Sequence, residues 1–127
     1  MKLLVIEDSS DVRLLIELEL AGRGYTVMTA DCAETGLALA ARERPAAIIS
    51  DLGLPGLNGI ELIQRLRRDH RLHDIPAVAL SGFGERAEIE QALSAGYQAA
   101  LVKPFETADL VAAVERVTAV PAAERER

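Results

Sequence analysis

Short apolar runs alternate with longer segments of mixed character along most of the chain. Each short run is bounded by polar residues, glycine or proline, which is typical of a strand that is buried on both faces of a sheet. The strands predicted on this basis cover residues 3–6, 25–30, 46–50, 77–80 and 99–102. The longer segments carry apolar residues at helical spacing, and glycine or proline ends several of them. The predicted helices cover residues 12–21, 33–44, 60–68, 85–95 and 107–118.

This alternation predicts the α/β class, with a doubly wound parallel sheet between two layers of helices. The chain has 127 residues, which suits one domain with one core. We expect that domain to cover residues 1–120 and a charged, flexible tail to cover residues 121–127. In a sheet of this kind, binding sites form beyond the carboxyl ends of the strands.

Composition narrows the class of partner. Hydrophobic residues make up 50% of the chain, but no apolar run approaches the roughly 18 residues that a membrane span needs. The formal net charge of -6 disfavours binding to nucleic acid phosphates, since like charges repel. Cys32 is the only cysteine, which excludes an internal disulfide and a cysteine-based metal cluster. We therefore expect a cytoplasmic protein that contacts neither a membrane nor nucleic acid directly.

The first predicted helix carries more leucine than one buried face needs. Its spacing assigns Val12, Leu15 and Ile16 to the core. Leu14 and Leu18 then form an i, i+4 pair toward the outer flank of the helix. Two interpretations stay open: the pair covers the edge of the core, or it forms a surface on which a partner docks.

Polar side chains follow four of the predicted strands, at the point where each strand ends. Glu7 and Asp8 follow the first strand, Asp51 the third, Ser81 the fourth and Lys103 the fifth. All of them should meet at one edge of a parallel sheet. Three carboxylates there would repel one another, and a hard divalent cation such as Mg²⁺, which prefers oxygen ligands, would neutralise them.

A carboxylate surrounded by Mg²⁺, an ammonium and a hydroxyl is suited to phosphoryl transfer. Catalysis of that reaction is mostly positioning and neutralisation of charge on the transferred group. Asp51 is the candidate nucleophile and would form an aspartyl phosphate. We expect Mg²⁺ to bind one phosphoryl oxygen, Lys103 a second, and the Ser81 hydroxyl with nearby backbone amides the third.

Together, the segments around these residues resemble the receiver domains of response regulators in two-component systems. The resemblance extends from residue 2 to about residue 117 and rests on four segments in order, each at a strand end. These segments are residues 4–8, 50–59, 79–82 and 101–105. The resemblance implies a flavodoxin-like (βα)5 fold with strand order 2-1-3-4-5.

The same resemblance implies roles for individual residues. Mg²⁺ would be bound by Asp8, Asp51 and the backbone carbonyl of Gly53, and Glu7 would hold a metal-bound water. The Lys103–Pro104 peptide bond would be cis, which would aim the lysine inward.

The function implied by the family is that of a phosphoacceptor switch. A histidine kinase or a histidine phosphotransfer protein donates a phosphoryl group to Asp51, and the domain changes conformation to signal to a partner. Residues 80–84 and 100–104 are similar to receivers of hybrid sensor kinases, which favours a place in a phosphorelay. The implied chemistry is self-catalysed phosphoryl transfer and hydrolysis, so we do not expect a conventional enzyme. We expect a monomer, and the sequence leaves dimerisation on phosphorylation open.

The sequence departs from the family pattern at three positions. Glu7 replaces the commoner aspartate of the acidic pair, and Ser81 replaces the frequent threonine. Ala100 stands where many members carry an aromatic residue that moves inward as the hydroxyl moves toward the phosphate. Phe83 and Tyr97 are candidates for that role, with local packing as the competing interpretation.

Three other functions are disfavoured by particular residues. A small aspartyl phosphatase would carry a second carboxylate where Gly53 stands. A receiver that binds partners without phosphorylation would not need Asp8, Asp51, Ser81 and Lys103 together. A flavin-binding protein would need a phosphate loop after the first strand, where the acidic pair would repel a phosphate.

Overall fold

The structure is a computed structural model, and it describes residues 1–82 and 84–119. Its strands are β1 (Lys2–Ile6), β2 (Thr26–Ala30), β3 (Ala47–Asp51), β4 (Ala77–Ser81) and β5 (Ala99–Val102). Its helices are α1 (Ser10–Ala21), α2 (Ala33–Glu43), α3 (Gly59–Arg68), α4 (Arg86–Ala95) and α5 (Thr107–Ala119). The predicted alternation of strands and helices is confirmed, and the predicted tail at residues 121–127 lies outside the described residues.

The strands form one parallel sheet in the order β2-β1-β3-β4-β5, which confirms the topology that the resemblance implied. In the pairing register, Asp51 lies opposite Leu80, and Ser81 lies opposite Val102. The carboxyl ends of β3, β4 and β5 therefore lie side by side at one edge of the sheet. This edge is where a doubly wound sheet forms its binding sites.

The sheet separates two apolar clusters, one on each face. Successive residues of a strand point to opposite faces, so Leu4 and Ile6 pack toward α2, α3 and α4, whereas Leu3 and Val5 pack toward α1 and α5. Every residue of β3 and β4 is buried. Burial on both faces explains why residues 47–49 and 77–80 are continuous apolar runs that do not alternate with polar residues.

Helix α1 corrects one prediction. Ile16 and Leu20 are its buried residues, but Leu15, which we assigned to the core, is 57% exposed. Successive helical residues are turned by about 100°, so the face set by Ile16 and Leu20 leaves Leu15 on the flank. Leu14 and Leu18 are also exposed, as their predicted position on the outer flank requires.

Local contacts fix where two of the helices begin. The Ser9 side chain caps α1 by accepting a hydrogen bond from the backbone N–H of Val12. Asn58 and Glu61 form a reciprocal capping box at the start of α3. The second cap places the first turn of α3 directly after the loop that follows β3. Among the described residues, the helices are too short or too polar to cross a membrane.

Candidate functional site

The candidate site lies at the carboxyl edge of the sheet and combines side chains from four strand ends. Asp51 and Ser81 are the last residues of β3 and β4, Glu7 directly follows β1, and Lys103 directly follows β5. Glu7 and Ser81 are fully buried, and Asp51 is 7% exposed. The strand-end pattern in the sequence therefore corresponds to one compact cluster in the fold.

Lys103 connects two of the carboxylates. Its Nζ lies 2.7 Å from Glu7 Oε1 and 3.1 Å from Asp51 Oδ2. The lysine side chain is 25% exposed, so the ammonium lies at the border between the buried cluster and solvent. Hydrogen bonds between charged groups at such distances are stronger than neutral ones and fix orientation as well as charge.

Burial and charge act in opposite directions on these groups. Burial raises the pKa of Glu7, Asp51 adds to that increase, and the hydrogen bond from Lys103 opposes it without cancelling it. Burial alone would lower the pKa of Lys103, but hydrogen bonds to Glu7 and Asp51 raise it above its ordinary value. The Lys103 ammonium therefore keeps its proton. The charged form of Glu7 is disfavoured, because the carboxylate is buried beside Asp51.

Three acidic residues form a group that could hold a cation. Carboxylate oxygens of Glu7, Asp8 and Asp51 all lie within 4.8 Å of one another. Ligand oxygens around Mg²⁺ lie at about 2.1 Å from the ion, hence about 3 to 4 Å apart, so only small side-chain movements would be needed. Asp8 is exposed, which leaves one side of the group open to the water ligands that Mg²⁺ tends to keep. The donor set and its spacing fit this ion.

The loop after β3 holds the Asp51 carboxylate from its other side. The backbone N–H of Gly53 donates to Asp51 Oδ1 over 3.1 Å, so each carboxylate oxygen has a partner. Gly59, which sequence reasoning missed as a site residue, lets α3 approach closely. A Cβ at that position would lie 2.5 Å from the backbone oxygen of Asp51 and 2.7 Å from Leu52 Cα. Only glycine fits this approach without moving backbone.

Two contacts on the other side of the site were also missed from the sequence. Arg13 Nη1 in α1 donates to the backbone oxygen of Glu7 over 2.9 Å. The backbone N–H of Ser9 donates to Glu7 Oε2 over 3.3 Å. Both contacts hold the acidic turn after β1 in place.

The ends of β4 and β5 are tied together beside the site. The backbone N–H of Lys103 donates to the Ser81 backbone oxygen over 2.8 Å. The Lys103–Pro104 peptide bond is cis. The backbone hydrogen bond therefore holds Lys103 next to the end of β4.

Ser81 has a partner that the sequence did not suggest. Its hydroxyl donates to Glu88 Oε1 over 2.7 Å and accepts from the backbone N–H of Gly84 over 3.2 Å. Glu88 lies in the first turn of α4. It lies seven positions after Ser81 in the chain, beyond a loop, so no local sequence rule pairs the two.

Tyr97 and Phe83 are the two candidates for the role of the aromatic residue that Ala100 replaces. Tyr97 is 3% exposed within the core, and its hydroxyl donates to the Gly59 backbone oxygen over 2.7 Å. Burial raises the pKa of this phenol. These contacts support the packing interpretation for Tyr97. Ala100 is partly buried against the same core cluster, and Phe83 lies outside the described residues.

An apolar surface lies next to the site. Leu14, Leu15 and Leu18 of α1 are 53%, 57% and 61% exposed. Leu15 also lines a groove that reaches Lys103 and Phe105. Exposed leucines in a row on one helix are typical of a docking surface.

Known proteins resemble this chain in sequence and in fold. Residues 3–115 match the family model described as the response regulator receiver domain. Chemotaxis protein CheY1 of Helicobacter pylori J99 is 37% identical over 107 residues, which cover 83% of this chain and 86% of that protein. The chain spans only 44 to 50% of the length of five curated transcriptional regulators that it matches.

Solved structures show the same fold. A putative response regulator from Chloroflexus aurantiacus has a TM-score of 0.90 at 33% identity, covering 94% of this chain and 98% of that one. The receiver domain of sensor histidine kinase PA1611 from Pseudomonas aeruginosa has a TM-score of 0.87 at 28% identity, with the same coverage of 94% and 98%. That receiver was crystallised with a magnesium ion coordinated in its active-site cleft.

Proposed function

This chain belongs to the response regulator receiver domain family, and on that premise we propose that Asp51 accepts a phosphoryl group from a phosphohistidine in the presence of Mg²⁺. The proposal rests on one observation: each oxygen of the Asp51 carboxylate has its own hydrogen-bond donor. One of its oxygens is held by the Lys103 ammonium and the other by the Gly53 amide, beside two further carboxylates. A carboxylate held this way is oriented for attack and surrounded by groups that neutralise charge.

The transfer step involves one bond made and one broken. A carboxylate oxygen of Asp51 attacks the phosphorus, the phosphorus–nitrogen bond to the donor imidazole breaks, and the nitrogen keeps the electron pair and takes a proton. The product is an aspartyl phosphate, which water later hydrolyses back to the carboxylate and inorganic phosphate. Lys103 stays charged throughout, because its pKa is raised, and neutralises negative charge on the phosphoryl oxygens.

We assign the metal to the acidic residues of the same cluster. Asp8, Asp51 and the Gly53 carbonyl would hold Mg²⁺, and Glu7 would hold one of its waters. Bound there, the ion supplies charge neutralisation at a phosphoryl oxygen. The proposal is supported by the spacing of the carboxylate oxygens and by the magnesium-bound cleft of the PA1611 receiver.

The phosphodonor is proposed to be a histidine kinase or a histidine phosphotransfer protein that docks on Leu14 and Leu18 of α1. A donor histidine must reach Asp51, and the adjoining groove leads from this helix to Lys103. A protein donor would therefore contact this apolar surface as it approaches the site. Transfer to Asp51 would then shift the domain toward a second conformation that a further partner recognises.

Acetyl phosphate tests the proposal without a protein donor. Incubation with Mg²⁺ should add the mass of one phosphoryl group to the wild-type chain and none to Asp51→Asn. Asp69→Asn is the matched control, because Asp69 follows α3 at the opposite edge of the sheet and pairs with Arg71. Absence of an adduct on the wild type would support a receiver that works without phosphorylation, and rapid turnover of many phosphate esters would support a phosphatase.

A further inference from the structure

The Ser81 hydroxyl, which we expect to donate to a phosphoryl oxygen on Asp51, already has two hydrogen-bond partners. It donates to Glu88 Oε1 over 2.7 Å and accepts from the Gly84 amide over 3.2 Å. A serine hydroxyl has one proton and can donate only one hydrogen bond at a time. While that proton is directed at Glu88, it is withheld from a phosphoryl oxygen.

The position of Glu88 suits this contact. It lies in the first turn of α4 and is partly buried, and it lines a groove together with Gly53 and Asn58 of the loop after β3. The acceptor is a carboxylate, and hydrogen bonds to ionised acceptors are roughly twice as strong as neutral ones. Ser81 itself is fully buried, so water does not compete freely for its hydroxyl.

We propose that Glu88 is a positioning residue that holds the Ser81 hydroxyl away from the phosphoryl site, so that phosphorylation of Asp51 requires this hydrogen bond to be exchanged. The inference rests on the proposed function. A phosphoryl oxygen that accepts from Ser81 would also lie no more than about 5.5 Å from the Glu88 carboxylate oxygen, given ordinary hydrogen-bond lengths. The phosphoryl group and the Glu88 carboxylate would therefore compete for the one proton of the Ser81 hydroxyl.

The exchange would also carry a signal. The Ser81–Glu88 bond ties the end of β4 to the start of α4, whose N-cap residue, Glu85, makes no side-chain capping hydrogen bond. Breaking the bond would release the first turn of α4. Such a release does not need an aromatic residue in β5, where this chain has Ala100.

The test is a titration of the full chain with beryllofluoride, a phosphoryl mimic, in excess Mg²⁺, followed by amide NMR. Glu88→Ala should bind the mimic roughly three- to tenfold more tightly, because one competing charged hydrogen bond is lost. Glu88→Gln should fall between this variant and the wild type, since an amide oxygen is the weaker acceptor. Glu90→Gln removes the same charge from an exposed position in the same helix and should stay within about twofold of the wild type.

A double-mutant cycle separates the hydroxyl contact from a general effect of Glu88. In a Ser81→Ala background there is no hydroxyl to withhold, so the gain from Glu88→Ala should be at least about threefold smaller than with Ser81 present. Equal gains in both backgrounds would overturn the inference, as would unchanged or weaker binding by Glu88→Ala. If the wild type bound no beryllofluoride at all, the proposed function itself would fail, and this inference with it.

Discussion

At the scale of single residues, the charge balance of the site depends on Lys103. Its ammonium is within 3.1 Å of both Glu7 and Asp51, and it is the cation that the described structure places between these buried carboxylates. The sequence identified this lysine from its position after the last strand, next to a proline. From these distances we infer two roles for the ammonium: it offsets acidic charge in the metal-free protein, and it would neutralise a phosphoryl oxygen on Asp51.

Replacing Lys103 by alanine should separate metal binding from signalling. We expect Mg²⁺ to bind at least as tightly as in the wild type, because the carboxylates lose a competing cation. We also expect the amide shifts that beryllofluoride induces beyond the site to shrink to less than about half, because a contact to the phosphoryl mimic is lost. The measurement is amide NMR with each ligand in turn.

The other lysine of the chain serves as the control for that variant. Lys2 forms an exposed ion pair with Glu43, away from the site, so Lys2→Ala should leave both titrations unchanged. If Lys103→Ala retained the full set of shifts induced by the mimic, the role assigned to the lysine would be wrong.

In the absence of metal, the charged Glu7 carboxylate should lower the free energy of unfolding. Its pKa is raised above the ordinary value of 4.5, chiefly by burial. A carboxyl whose folded-state pKa is raised favours the fold most at pH values below its unfolded pKa, and this contribution is lost as the pH rises through the folded value. Glu7→Gln should therefore stabilise the metal-free protein at pH 7, where burial disfavours the charged wild-type carboxylate, and it should weaken Mg²⁺ binding. Chemical denaturation with and without Mg²⁺ checks both effects, and a less stable metal-free variant would contradict the assignment.

At the scale of elements, the start of α3 and the outer face of α1 define the surroundings of the site. Neither could be predicted fully from the sequence. In the sequence, Gly59 is indistinguishable from an ordinary loop or cap glycine, and its role appears only when α3 packs against β3. Leu15 fits the spacing of a buried helical stripe, but the burial of Ile16 and Leu20 fixes the rotation of α1 and leaves Leu15 exposed. Both depend on how an element is docked, which periodicity alone does not determine.

Gly59→Ala should destabilise the protein by about 2 kcal/mol, because the new Cβ would press on backbone atoms that cannot rotate away. Thermal unfolding measures the effect. Gly82→Ala is the matched control, since a Cβ there would meet nothing within 4 Å. Equal melting temperatures for the two variants would show that α3 can shift without cost.

The exposed leucines of α1 should affect the rate of phosphorylation only when the phosphodonor is a protein. Leu18→Glu should slow transfer from a phosphohistidine protein by about tenfold or more, because a charge would replace an exposed apolar contact at the interface. Phosphorylation by acetyl phosphate should be unchanged. Leu93→Glu, which changes an exposed leucine of α4, is the control. Loss of both reactions in Leu18→Glu would indicate damage to the fold and not a docking surface.

At the scale of the whole molecule, most of the site could be predicted because its residues occupy strand ends. Parallel strands with buried faces are recognisable as apolar runs, and their order in the family places Glu7, Asp51, Ser81 and Lys103 at one edge. The Glu88 contact could not be predicted, because it depends on the course of the loop after β4 and on a side-chain direction in α4. Long-range side-chain pairs of this kind follow from the packed fold and not from spacing in the sequence.

The proposed function requires that the carboxylate of Asp51 accept the phosphoryl group and that Mg²⁺ enable the reaction. The most direct measurement is peptide mapping by mass spectrometry after acetyl phosphate treatment, with borohydride reduction to convert a phosphorylated aspartate into homoserine. We expect homoserine at position 51 alone, and only when Mg²⁺ is present. Modification at another carboxylate, or equal modification at position 51 after removal of Mg²⁺, would contradict it.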